Sequence, residues 1–236
     1  MQSLLETINF PPKEQPIEVL EAGVGPEGCK LPAPSGVNTL PQAAQAKVFA
    51  GVFAAMFLGT QVLSSVFAGL TFEYEWFQTW RYTWPLLGAV YVAAGIAHFP
   101  LEDEFANIYP PKGTWGLWYL PGNAEFHVRW TGVAEVLGGL GLLVGGAMDA
   151  FFPSYYTSPT LLSSAGLASD SAAALFLLTI AVTPSNVYMY THGARLPMDG
   201  PDVPIVGHAI RGAMQVVLLA LLYQMGAGTF DAWFSP

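Results

Sequence analysis

Between residues 43 and 70 the chain carries one charge, Lys47, close to the start of the run. Roughly 27 apolar residues at 1.5 Å of helical rise exceed a hydrocarbon core about 30 Å thick. A backbone inside that core must satisfy its own hydrogen bonds, and a continuous run of this length does so as a helix. Four more apolar runs follow, at residues 84–99, 124–148, 165–190 and 205–225. The predicted fold class is all-α: a polytopic membrane helix bundle of about five transmembrane helices. Composition agrees, with 53% hydrophobic and 11% charged residues, where a soluble domain carries about 25% charged.

The runs divide the chain. Residues 1–42 alternate short acidic pieces with turn-formers such as Pro11-Pro12, Gly25-Pro26 and Pro34. They are expected to form an extended arm that docks on a partner. Polar, acidic and proline-rich, this stretch does not read as a signal peptide. Residues 43–70 are the first span. The run at 84–99 is short for a span and is expected to begin near Tyr82 or to cross with little tilt. Asn123 is a candidate helix N-cap for the third span, with Glu125 in the positive first turn and Arg129 one turn on as an (i, i+4) partner. That span contains the small-residue run GGLGLLVGGA, which permits close helix approach. The fourth span contains Pro184, which removes a backbone donor and is expected to kink the helix. Residues 226–236 are left as a short carboxyl-terminal tail.

Charge constrains function and orientation. The net charge of −9, with eight Lys and Arg in all, provides no basic patch for a nucleic acid. The single cysteine, Cys29, permits no internal disulfide. With five spans, Lys13, Lys30, Lys47, Lys112, Arg129, Arg195 and Arg211 fall on one side and only Arg81 on the other. The positive-inside bias therefore places the amino terminus on the cytoplasmic or stromal side. His98, His127, His192 and His208 all fall toward that side, so a site built from them opens inward.

Between the second and third spans lies a polar stretch holding three consecutive acids (Glu102, Asp103, Glu104), the Pro110-Pro111 break, and Trp115, Trp118 and Tyr119. Aromatics beside charges suit a membrane surface. Residues 100–127 are expected to contact other subunits, and the acid run reads as a solvated loop. Glu135 lies within the third span, where an ionisable group costs several kcal/mol unless paired. Arg211 lies at a similar depth in the fifth span, about 9 Å in by helical rise, and a buried Glu135–Arg211 bridge is the first expectation. His208, Arg211 and Gln215 share a helical stripe. Asn186 and Tyr190, one turn apart, extend the polar lining. A proton path is less well served, since the outer half offers only Asp170, expected in interfacial water.

The same residues define the alternative, a cofactor pocket formed by Glu135, Arg211, His208, Gln215, Asn186 and His98. Chlorophyll, carotenoid and quinone are the candidate cofactors. His98 and His127 could face each other across the loop, but no HxxxH or ExxH spacing marks a metal site. No nucleophile elbow or other catalytic constellation is present.

Several of these motifs resemble the DoxX-like family of small integral membrane proteins. They are Arg81 before a span ending GAVYVAAGIAHF, the GVAEVLGGLGLLVGG helix, the TPSN turn at Thr183 to Asn186, and a closing helix beginning HAIR at His208. The resemblance covers residues 81–225. It implies a four-helix membrane bundle with Glu135 and Asn186 as its polar signature, and association with terminal quinol oxidases and other redox assemblies. The arm and the span at 43–70 are additions to that pattern. The expected function is an accessory or structural membrane subunit of a large electron-transfer complex, with a photosystem supercomplex in plastid thylakoids favoured. The alternatives are a quinone-binding or oxidoreductase component of a respiratory quinol oxidase-type complex, and a small-molecule transporter. A transporter should show interrupted helices, and only Pro184 hints at one.

Overall fold

A computed structural model describes residues 32–74, 84–151 and 166–234. Most of the expected arm, the connector containing Arg81 and most of the 149–160 loop lie outside the described residues. Every regular element within them is helical. Four helices are long and apolar enough to cross a membrane: α1 (Gln42–Glu73), α4 (Ala124–Phe151), α5 (Leu167–His192) and α6 (Ile205–Phe234). The protein is an all-α integral membrane protein.

The expected five-span count is not reached among the described residues. The run at 84–99 forms a 3-10 turn (Trp84–Leu86) and then α2 (Leu87–Ala97), 11 residues long. At 1.5 Å per residue α2 covers about 16 Å, half of a hydrocarbon core. Pro100 helps to end it, because the residue before a proline is pushed out of helical geometry. The chain turns at His98 and enters α3 (Glu102–Asn107). The expected solvated acid loop is thus a short helix whose first turn carries all three acids, where the helix dipole favours them. The final helix continues past Met225 to Phe234, so most of the expected tail is helical. Residues 37–39 form a 3-10 turn with Val37 and Asn38 buried, so the arm's described end is folded. α5 runs through Pro184 without interruption.

The helices stand in the order α2, α4, α5, α6, α1, each packed on the next. The first four alternate in direction, whereas α1 runs parallel to α6, with Gly59 against Val216 and the Gln224 amide donating to the Ser64 carbonyl. α5 is the central member: 56% of its most apolar stretch is buried, against 17% for α1 and α6. The α2/α4 seam is built on glycines, because only a missing Cβ lets two backbones approach so closely. A Cβ on Gly139 would stand 2.6 Å from the Gly88 carbonyl oxygen, and one on Gly95 2.6 Å from the Gly132 carbonyl oxygen. Leu142, Leu175 and Leu222 fill the centre of the bundle. A second cluster around Trp115, Tyr188 and Met189 seats the 108–118 segment on α5.

Candidate ligand-binding site

Four polar side chains on α5 and α6 form one directed network. The Arg211 guanidinium donates to Asn186 Oδ1 (2.5 Å), the Asn186 amide to Gln215 Oε1 (2.9 Å), and the Gln215 amide to Thr183 Oγ1 (2.6 Å). Thr183 Oγ1 donates in turn to the Thr179 carbonyl oxygen (2.8 Å), which ends the series on backbone. Thr179 donates its own proton to the Leu175 carbonyl, so Tyr91 is the donor in the 2.6 Å contact between the two hydroxyls. A second Arg211 nitrogen lies 2.9 Å from Met189 Sδ.

Every partner in this network is neutral. The expected Glu135–Arg211 bridge is not formed: among the described residues Arg211 has no ion pair, and Glu135 approaches only His98, with Oε2 3.7 Å from Nδ1. Equal depth did not bring the two together because α5 stands between α4 and α6 in the helix row. His98 Nδ1 carries its proton, since it donates to the Ala94 carbonyl oxygen (2.8 Å), which can only accept. Glu135 is 8% exposed, and its Oε2 is buried without a hydrogen-bond partner.

Glu135 and Arg211 instead share a cavity of about 270 Å³, whose polar wall also contains His98, Asn186 and His127. The polar segment after α3 closes it with Tyr109, Trp118 and Leu120. Tyr109 Oη and Trp118 Nε1 are also buried; they lie beside each other, and neither has another hydrogen-bond partner among the described residues. Burial pushes the Tyr109 phenol up from its ordinary range, with the nearby Trp118 indole opposing, so at neutral pH it is a donor. The Glu135 oxygen is thus left without a donor beside the Tyr109–Trp118 pair, and a buried polar atom that nothing satisfies costs about 1–3 kcal/mol.

Trp115 holds the closing segment in place. It is 1% exposed, donates from Nε1 to Thr191 Oγ1 (3.0 Å) and packs against Phe49 of α1 with ring centroids 4.4 Å apart. Its φ of 55° is left-handed, between Gly113 and Gly116, which are left-handed too. A bulky residue in that region costs about 1–3 kcal/mol and persists only where its surroundings enforce it.

The other expected site residues fall around this centre. Gln215 lines an apolar cleft that also reaches Glu135 and Arg211. His208 lines another cavity, of about 370 Å³ between α1, α5 and α6, which also reaches Asn186, Arg211 and Gln215; its ring is 5.6 Å from that of Tyr190. His127 has both ring nitrogens engaged: Nε2 donates to the Pro121 carbonyl (2.8 Å) and Nδ1 accepts from Trp130 (3.0 Å). Neither nitrogen is left for an axial ligand. Among the described residues no cluster of three His, Cys, Asp or Glu side chains could hold a metal.

Two further expectations are corrected. Arg129 pairs with Glu102 of α3 (2.9 Å) rather than with Glu125, which ties the closing segment to α4. Asp170 is buried, at 3% exposure, and accepts from Thr229 Oγ1 (2.7 Å) rather than facing interfacial water. Tyr109 and Trp118 were not singled out from sequence, where aromatics in an interfacial loop carry a generic meaning.

Replacing Asn186 with leucine would orphan Arg211 and Gln215 together. The expected loss is about 2 kcal/mol, between the small average for interhelical bonds in membranes and the larger cost of a stranded charge. Thermal unfolding in mild detergent would measure it.

No protein-family model, curated protein or solved structure matches the chain. Fold and site therefore define a class only: an all-α integral membrane protein with a small cavity lined by an acid and a base that do not pair.

Proposed function

We propose that this chain is a membrane-embedded subunit of an electron-transfer assembly that holds the head group of a quinone-class ligand between Glu135 and Arg211. The observation that carries this reading is the cavity itself. Its acceptor and its base do not neutralise each other, and the Tyr109 hydroxyl keeps a proton to donate. A single ring bearing oxygens on opposite sides supplies what these groups lack. In the quinone state its carbonyls accept from Arg211 and Tyr109; in the quinol state one hydroxyl donates to Glu135. The volume, just below the roughly 300–1,000 Å³ of drug-sized pockets, suits one ring and not a chlorin macrocycle.

The wider setting we propose is the one implied by the DoxX-like resemblance, a large redox complex, with a thylakoid photosystem ahead of a respiratory quinol oxidase. The amino terminus would face the stroma or cytoplasm. The outward apolar face of α1, with Phe57, Leu58 and Val62 exposed, is available to a neighbouring subunit. Co-migration with photosystem subunits in a native gel supports this setting, and migration as a free chain from native membranes counts against it.

The site is tested by titrating a short-chain benzoquinol, kept reduced under anaerobic conditions, into the protein in lipid nanodiscs while following tryptophan fluorescence, since Trp118 and Trp130 line the cavity. Loss of a hydrogen bond to a charged group is worth about 1.5–3 kcal/mol, so Glu135→Ala and Arg211→Gln should each weaken binding at least about tenfold. Equal binding by the wild type and both folded variants would sink the assignment.

A further inference from the structure

A second opening reaches the same polar centre from the side. α2 and α6 form no packed seam, although they end the four-helix arrangement and would meet if it closed. Between them lies a cleft of about 740 Å³, floored by Leu178 and Val182 of α5 and walled by Val90 of α2 and by Met214 and Leu218 of α6. Along α6 the wall runs from Ile210 to Leu221, a rise of about 16 Å. Apart from Tyr91 and Thr179, which satisfy each other, its polar residues sit together at one end: Glu135, Asn186, Arg211 and Gln215. Glu135, Val182, Asn186 and Arg211 also line the smaller cavity, so the two spaces meet at the same side chains.

This cleft opens on a surface that faces lipid by composition. Val90 is 64% exposed and Met214 66% exposed, on helices that lie in the hydrocarbon region. Water-soluble molecules do not reach such a surface; molecules dissolved in the bilayer do. The shortness of α2 is one physical cause of the opening, because an 11-residue helix cannot cover the length of a 30-residue neighbour.

We infer that the α2/α6 cleft is a lateral portal, through which a ligand enters from the bilayer and in which its apolar chain then lies. The inference rests on the head-group reading above and deepens it. The ligand is long-chained and amphipathic, with its polar end at Glu135 and Arg211 and its chain along Met214 and Leu218.

The test compares a tail-less dimethylbenzoquinone with its decyl analogue, each titrated into nanodisc-embedded protein, with affinities corrected for partition into lipid. The decyl compound should bind at least tenfold more tightly. Val90→Trp and Met214→Trp fill the cleft at positions too exposed to disturb helix packing, and each should abolish the decyl advantage while leaving the tail-less compound unaffected. If the tail-less compound binds but the tail adds nothing, or if both variants keep the full advantage, the portal is wrong and the head-group site stands. If neither compound binds, both fall. Should either variant misfold, a decyl analogue with a terminal photoreactive group provides the second measurement. Labelling at Val90, Met214 or Leu218 supports the portal, and labelling confined to α1 overturns it.

Discussion

Trp115→Ala is expected to be among the most damaging single substitutions in the protein, lowering stability by about 3–5 kcal/mol. The side chain is 1% exposed and contacts two helices at once, α1 through Phe49 and α5 through Thr191. Truncation leaves a void that the Gly113 to Gly116 turn is too constrained to fill, and it removes the indole bond to Thr191, whose hydroxyl keeps only its contacts with Val187 and His192. Relief of the left-handed backbone at position 115 offsets only a small part, since alanine is also disfavoured there. The loss should appear as a fall in melting temperature of roughly 10 °C. Ligand binding should weaken as well, because Trp115 seats the segment that carries Tyr109 and Trp118. Trp115→Phe keeps most of the packing and loses only the Thr191 bond, so it should cost about 1 kcal/mol. Equal losses for the two variants would mean that the indole is not the anchor.

Gly139→Val tests a different part of the construction. Its Cβ would meet the Gly88 carbonyl oxygen at 2.6 Å and the Val92 amide nitrogen at 2.9 Å. Both are backbone atoms and cannot swing aside as a side chain would. Overpacking costs typically 1–3 kcal/mol, and this contact belongs at the upper end because α2 must move bodily from α4. Displacing α2 also widens the cleft against α6, so the variant should lose both stability and the binding advantage of a long-chain ligand. Gly69→Ala is the control: its Cβ meets open space, and removing a helical glycine should raise stability slightly. A Gly139→Val protein as stable as the control would contradict the glycine seam.

The four long helices were legible because each is encoded by an apolar stretch longer than the bilayer core. That signal depends on composition and not on packing. The length of α2 was not legible in the same way. Residues 84–99 read as one run, but the start is wound as 3-10 helix, with Pro85 packed on Gly146, and the chain turns at His98 before Pro100. Glu135, Asn186 and Arg211 stood out because polar groups at membrane depth are costly unless they have a use. Their pairing did not follow from depth, since which helices are neighbours decides that, and α5 separates α4 from α6. Arg129 shows the same limit: the (i, i+4) rule offered Glu125, while tertiary packing brought Glu102 within 2.9 Å. Tyr109 and Trp118 matter through their place in the cavity wall beside Glu135, which only a folded chain reveals.

The central claim is that the Glu135/Arg211 cavity holds a lipid-soluble ligand by its head group. Its most direct test is mass spectrometry of the organic extract from the protein purified out of its native membrane in mild detergent, compared with Glu135→Ala prepared identically. The account predicts a long-chain quinone-class molecule in near-stoichiometric amount with the wild type and its loss from the variant. A wild-type protein that retains no such molecule, or a variant that retains as much, would contradict it.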